Sequence, residues 1–104
     1  MAYAERGVSA PPEVVFNTAT DPDRTAAWLP EPLLSASRVG EPDGFRARWD
    51  ARDTDWSAEL QVEPEDAGGA RVRLDLTGDG SASRLADEAL VNLAREVADN
   101  LQAG

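Results

Sequence analysis

The stretch VSAPPEVVFNTATDPDRTAAWLP, residues Val8 to Pro30, holds four prolines and changes character twice. Pro11 and Pro12 end any strand that precedes them, and Pro12 suits the first turn of a helix, where its missing N–H is no loss. Glu13 sits favourably against the positive end of that helix. Val14, Val15, Phe16 and Ala19 supply one broad apolar face, so a short helix is predicted from Pro12 to about Thr18. The tetrad DPDR then repeats the start signal: Asp21 can cap, Pro22 takes the first helical position and Asp23 the first turn. The second helix runs to about Trp28 and stops there. Pro30 and Pro32 forbid its continuation and bias Leu29 and Glu31 toward extended backbone.

Upstream, Ala2 to Ser9 reads as a first strand, with Gly7 suited to a bulge near its end. Downstream of Leu33 the hydrophobic period becomes two. Four strands are predicted, about Leu33 to Val39, Phe45 to Arg52, Asp55 to Glu63 and Ala70 to Thr77. The turns between them, GEPDG, DT and PEDAGG, are rich in residues that tolerate tight backbone. Consecutive hairpins make an antiparallel meander.

Alternation assigns the buried face to Phe45, Ala47, Trp49 and Ala51, then Trp56, Ala58, Leu60 and Val62, then Val72, Leu74 and Leu76. With DT as a two-residue turn, Arg52 faces Asp55, Arg48 faces Glu59 and Phe45 lies opposite Val62, so polarity and burial agree in one register. The final segment, SASRLADEALVNLAREVADNLQAG, is an amphipathic helix capped by Ser81 or Ser83. Leu85, Ala89, Leu90, Leu93, Val97 and Leu101 lie on its apolar side. The expected fold class is α+β: an antiparallel sheet of about five strands, in the order β-α-α-β-β-β-β-α, packed on a long C-terminal helix.

Composition bounds the function. A chain of 104 residues suits a single domain spanning 1–104. Its net charge of −10 disfavours nucleic-acid and anionic-membrane partners. No apolar run approaches the roughly 20 residues needed to span a bilayer, and no basic-then-apolar leader opens the chain, so a cytoplasmic protein is expected. The absence of Cys and His removes disulfides, thiolate nucleophiles, cysteine metal sites and the usual general base near neutral pH. All ten basic residues are Arg, which leaves no lysine for a Schiff base. No metal and no cofactor are expected. The pairs Asp21/Asp23 and Asp53/Asp55 read as caps and turns, and GDG at 78–80 lacks the rest of a phosphate loop.

The element order resembles the helix-grip fold of the SRPBCC superfamily, also called START-like or Bet v 1-like. The stretch SAPPEVVFNTATDPDRTAAWLP is similar to that family's entry: an Ala-Pro ending the first strand, a Val-Phe pair in the first helix, an Asp-Pro opening the second and a Trp closing it. The hairpin VEPEDAGGARVRL, Val62 to Leu74, resembles the family's Pro-containing, Gly-rich turn. The family commonly carries six strands between the helix pair and the last helix, where four are counted here. That difference implies a sheet that wraps less far and leaves an open edge.

The resemblance implies a small molecule, hydrophobic or aromatic, held between sheet and C-terminal helix. Its lining would be Trp28, Leu34, Phe45, Trp49, Trp56, Leu60, Leu74, Leu90 and Leu93. For Trp49 and Trp56 plain core packing competes with this role; Trp28, at a helix end, is open to either. Two other readings stand beside it. One is a protein-interaction or homodimerisation module with a closed core, pairing through the sheet edge or the helix. The other is a polyketide cyclase-like or aromatase-like enzyme, for which strand parity singles out Arg6, alternating with inward Val8 and Ala10.

Overall fold

The structure, a computed structural model, describes residues 2–34, 37–38, 44–51, 54–66 and 68–103. The chain runs β1 (Ala2–Val8), α1 (Pro12–Thr20), α2 (Thr25–Trp28), a 3-10 turn (Glu31–Leu33), β2 (Ser37–Arg38), β3 (Arg46–Asp50), β4 (Ser57–Pro64), β5 (Ala70–Thr77) and α3 (Ala82–Ala103). The strands form one antiparallel five-stranded sheet in the order β1-β5-β4-β3-β2. One face of that sheet packs on α3, and α1 and α2 close the side between them. This is the helix-grip fold.

Pairing follows the alternation of the sequence. Arg48 stands opposite Glu59 and Ala47 opposite Leu60, and the Val62 N–H donates to the Phe45 carbonyl at 3.0 Å. Ala47, Trp49, Ala58, Leu60, Val62, Val72, Leu74 and Leu76 share one buried cluster with Ala86, Ala89, Leu90, Leu93 and Val97 of α3. The facing of Arg52 with Asp55 and the turn over 40–43 fall on residues outside the described ones.

Asp21 turns the chain but does not cap α2, which starts at Thr25 after Arg24 without a side-chain cap, so Pro22 and Asp23 lie in the preceding turn and not in the helix. The Asp21 carboxylate accepts the Asp23 N–H at 2.9 Å and its carbonyl accepts those of Arg24 and Thr25, forming a turn that leads into α2. Leu29 is extended before Pro30, as the proline rule requires. Glu31 breaks that rule. Hydrogen bonds from Leu33 to Pro30 and from Leu34 to Glu31 draw it into the 3-10 turn, which buries Leu33 completely. The strand predicted from Leu33 therefore has its first two residues in that turn, and the described pairing covers Ser37–Arg38 alone.

Three further expectations are corrected. The β1–β5 register runs without interruption from Ala2↔Leu76 to Val8↔Ala70, so Gly7 makes no bulge. Leu101 is 48% exposed. A helix of 22 residues is about 33 Å long, whereas an eight-residue strand spans about 27 Å, so the last turn of α3 outruns the sheet it covers. Finally, the hydroxyl and backbone N–H of Ser81 both donate to the Asp79 carboxylate, and among the described residues neither Ser81 nor Ser83 makes a side-chain capping bond to α3.

Candidate functional site

The space between the sheet and α3 brings six of the expected lining residues together. Trp28 from the end of α2, Trp49 from β3, Leu60 from β4, Leu74 from β5 and Leu90 and Leu93 from α3 are all buried in one apolar cluster. Trp28 is 1% exposed, and its indole N–H donates to the Ala19 carbonyl at 3.1 Å, so the second helix is tied to the end of the first. Leu60, Leu74 and Leu93 are wholly covered.

Trp56 is half-buried at the hairpin end of the same face, packed against the cluster. Gly78 lies directly against its ring, and a Cβ there would collide with the indole.

Leu34 and Phe45 fall outside the interior. Leu34 follows the 3-10 turn and is 48% exposed, because that turn has already buried its neighbour Leu33 in its place. Phe45 is 37% exposed. Both Gly44 and Phe45 adopt φ of +60°, a left-handed turn that leaves Phe45 at the rim of the core and partly open to solvent. Its ring leans instead on Phe16, with centroids 5.5 Å apart.

Arg6 keeps the core-facing parity of Ala4 and Val8 but is exposed. β1 is the outermost strand, so the long side chain clears the covered zone and reaches water, leaving its guanidinium outside the interior.

The polar groups nearest the interior join the helices. Asn100 donates to the Thr18 hydroxyl at 3.0 Å, Thr18 donates to the Val14 carbonyl at 2.8 Å, and Arg24 contacts Glu96 at 3.2 Å and Asn100 at 3.5 Å. Together they fasten α1 and α2 to the C-terminal half of α3. On the far face of the sheet, Arg71 pairs with Glu5 and Glu65, while Arg73 pairs with Asp75 and lies 4.2 Å over the Tyr3 ring. The Asp75 hydrogen bond holds the Arg73 guanidinium above its ordinary value. These are solvated ladders that hold register.

One open cleft of about 500 Å³ lies where β1 meets the β4–β5 turn, between Val8, Ser9, Pro11, Glu65 and Gly68. None of the residues expected to line a site borders it. Sequence reasoning missed it because glycine, alanine and proline at such positions report backbone geometry and carry no chemical signature. Among the described residues no group of three or more His, Cys, Asp or Glu is placed to hold a metal ion, and no helix is long and apolar enough to cross a membrane.

No family model and no curated protein matches the chain. Solved structures do share its fold. TTHA0849 from Thermus thermophilus aligns with a TM-score of 0.64 at 20% identity, over 95% of this chain and 97% of that one. CalU16 from Micromonospora echinospora gives 0.60 at 17%, over 97% and 83%. DynU16, from the dynemicin biosynthetic locus, gives 0.58 at 18%, over 97% of this chain and 46% of its own. The class that fold and site define is thus a helix-grip protein with an aromatic and aliphatic interior.

Proposed function

We propose that the chain is a single SRPBCC-like domain, cytoplasmic, that binds a hydrophobic or aromatic small molecule between the sheet and α3. The observation that carries this reading is the convergence of Trp28 and Trp49 with Leu60, Leu74, Leu90 and Leu93 in that space. A structure of the same fold, DynU16, comes from a biosynthetic locus, which supports small-molecule chemistry as the setting. Because those side chains already pack against one another, a ligand enters by displacing a side chain. Titration with a broad panel of apolar and aromatic compounds, followed by tryptophan fluorescence, tests the reading. A saturable change is expected, and silence across the panel removes its support.

A second reading draws on two observations: the full coverage of Leu60, Leu74 and Leu93, and the free outer edge of the seven-residue strand β1. A closed core with an open sheet edge suits a homodimerisation or protein-interaction module. Sedimentation decides between them, since a strict monomer without a binding partner speaks against this second reading. The cyclase-like reading would need polar groups in the interior. The exposed Arg6 does not provide one.

A further inference from the structure

We propose that Asp79–Gly80 is a site of spontaneous covalent modification, where the aspartyl side chain closes on the backbone to a succinimide and reopens as isoaspartate, and that the Ser81 hydroxyl restrains it. The inference is independent of what the interior binds.

The reaction joins the nitrogen of the following residue to the side-chain carboxyl carbon, and a Cβ on that residue obstructs the approach. Two aspartates in the chain precede a glycine, Asp43 and Asp79, and the second pair lies wholly within the described residues. Asp79 and Gly80 are both exposed, in the turn between β5 and the first helical residue of α3, Ala82. Nothing stands within 4 Å of where a Cβ on Gly80 would be. Among the described residues the Gly80 N–H donates no hydrogen bond, so nothing anchors the attacking nitrogen.

Ser81 acts on Asp79 in two ways. Its backbone N–H donates to the Asp79 carboxylate at 2.8 Å, and a bond to the second N–H ahead folds the carboxyl back over the peptide that holds the Gly80 nitrogen. Its hydroxyl donates to the same carboxylate oxygen. That hydroxyl bond, and then the backbone one, hold the Asp79 carboxyl below its ordinary value. A carboxylate has no hydroxyl to lose, so the protonated side chain is the form that closes. The backbone bond brings the carboxyl to the nitrogen, and the hydroxyl bond keeps it ionised.

In the closing step the Gly80 nitrogen bonds to the Asp79 carboxyl carbon and gives up its proton, and the carboxyl hydroxyl leaves with that proton as water. Water then opens the ring at one of its two carbonyls. Cleavage of the nitrogen from the side-chain carbonyl restores aspartate. Cleavage from the main-chain carbonyl leaves the peptide running through the side chain, one methylene longer. The Asp79 carbonyl accepts the Ala82 N–H at 3.1 Å, and Ala82 is buried in the core. Isomerisation moves that carbonyl off the main chain as a free carboxylate and lengthens the link between β5 and α3.

The folded protein is incubated for weeks at neutral pH, and isoaspartate at residue 79 is read by peptide mapping with electron-transfer fragmentation, which separates the isomers at equal mass. Ser81→Ala should form it several times faster than the unaltered protein. Ser81→Thr keeps the hydroxyl and should stay slow. Ser83→Ala, which removes a neighbouring hydroxyl that makes no bond to Asp79, should leave the rate unchanged. Gly80→Ala should nearly abolish the product. Should Ser81→Ala fail to fold, the unaltered protein in urea carries the comparison, since unfolding removes both Ser81 bonds and should speed the reaction at residue 79. Equal rates with and without the Ser81 hydroxyl, or no isoaspartate at residue 79 in any sample, overturn the inference.

Discussion

The ring of Trp49 meets that of Trp28 edge to face, with centroids 5.4 Å apart and planes at 81°. This contact joins the middle of the sheet to α2, a helix of only four residues that has little stability of its own. Edge-to-face pairs contribute about 0.5–1.5 kcal/mol beyond their area, and truncating a buried Trp to Ala costs about 3–5 kcal/mol. Trp28→Ala should therefore unfold at markedly lower urea. A double-mutant cycle with Trp49→Ala should show coupling of about 1 kcal/mol; additive losses would mean the rings act independently.

Arg6 counts against pairing through the β1 edge, and so against the interaction-module reading. A charge on the core-facing side of an outermost strand discourages a second strand from pairing there, because pairing would strip its water. Arg6→Val should leave the thermal midpoint nearly unchanged and promote concentration-dependent self-association by light scattering. An equally monomeric variant would show that the edge is protected by other means.

Two glycines near the same end respond in opposite directions. A Cβ on Gly69 would lie 2.8 Å from the Val8 carbonyl oxygen, a backbone atom that cannot turn aside, so Gly69→Ala should cost about 1–3 kcal/mol. Gly7 has nothing within 4 Å of its Cβ position, and Gly7→Ala should stabilise by about 0.4–1 kcal/mol. Chemical denaturation of both variants reads the difference.

The turn into α3 carries a pH dependence. Hydrogen bonds from the Ser81 hydroxyl and then its backbone N–H hold the Asp79 carboxyl below its ordinary value. A folded-state value below the unfolded one means the stabilisation is present above the unfolded value of about 3.9 and disappears as pH falls through the depressed folded value. Asp79→Ala should lower the thermal midpoint at pH 7, with the gap narrowing on acidification from about pH 4 downward. A gap that widened instead would contradict the assignment.

Asn100 bridges α1 and α3 through the buried Thr18 hydroxyl. Asn100→Ala should cost about 1–2 kcal/mol in urea denaturation. Arg24→Met, which removes a part-exposed pair with Glu96, should cost under about 1 kcal/mol and less still in high salt.

The legible parts of the molecule are those where one period dominates. Arg48 facing Glu59, Ala70–Thr77 as a strand and the stop at Trp28 all follow from alternation or proline chemistry. The misread residues sit where a local bond outcompetes the period. Leu34 is displaced by a 3-10 turn that two prolines permit, and Phe45 by a left-handed turn beside Gly44. Arg6 has inward parity but belongs to the last strand, which a linear pattern cannot reveal before sheet order is known. Of the nine residues expected to line a site, parity foretold the burial of Trp49, Leu60 and Leu74, and helical spacing that of Leu90 and Leu93. The half-burial of Trp56 depends on Gly78, twenty-two positions away, and no periodicity couples the two.

The most direct measurement of a ligand held between sheet and helix is a two-dimensional NMR titration with planar aromatic compounds, following the three tryptophan indole N–H signals and the backbone of α3. The account predicts saturable, one-to-one shifts at Trp56 and at Ala82 to Leu93, with the outer-face signals of Arg71 and Arg73 unmoved. Shifts confined to the outer face, or none at saturating compound, would contradict it.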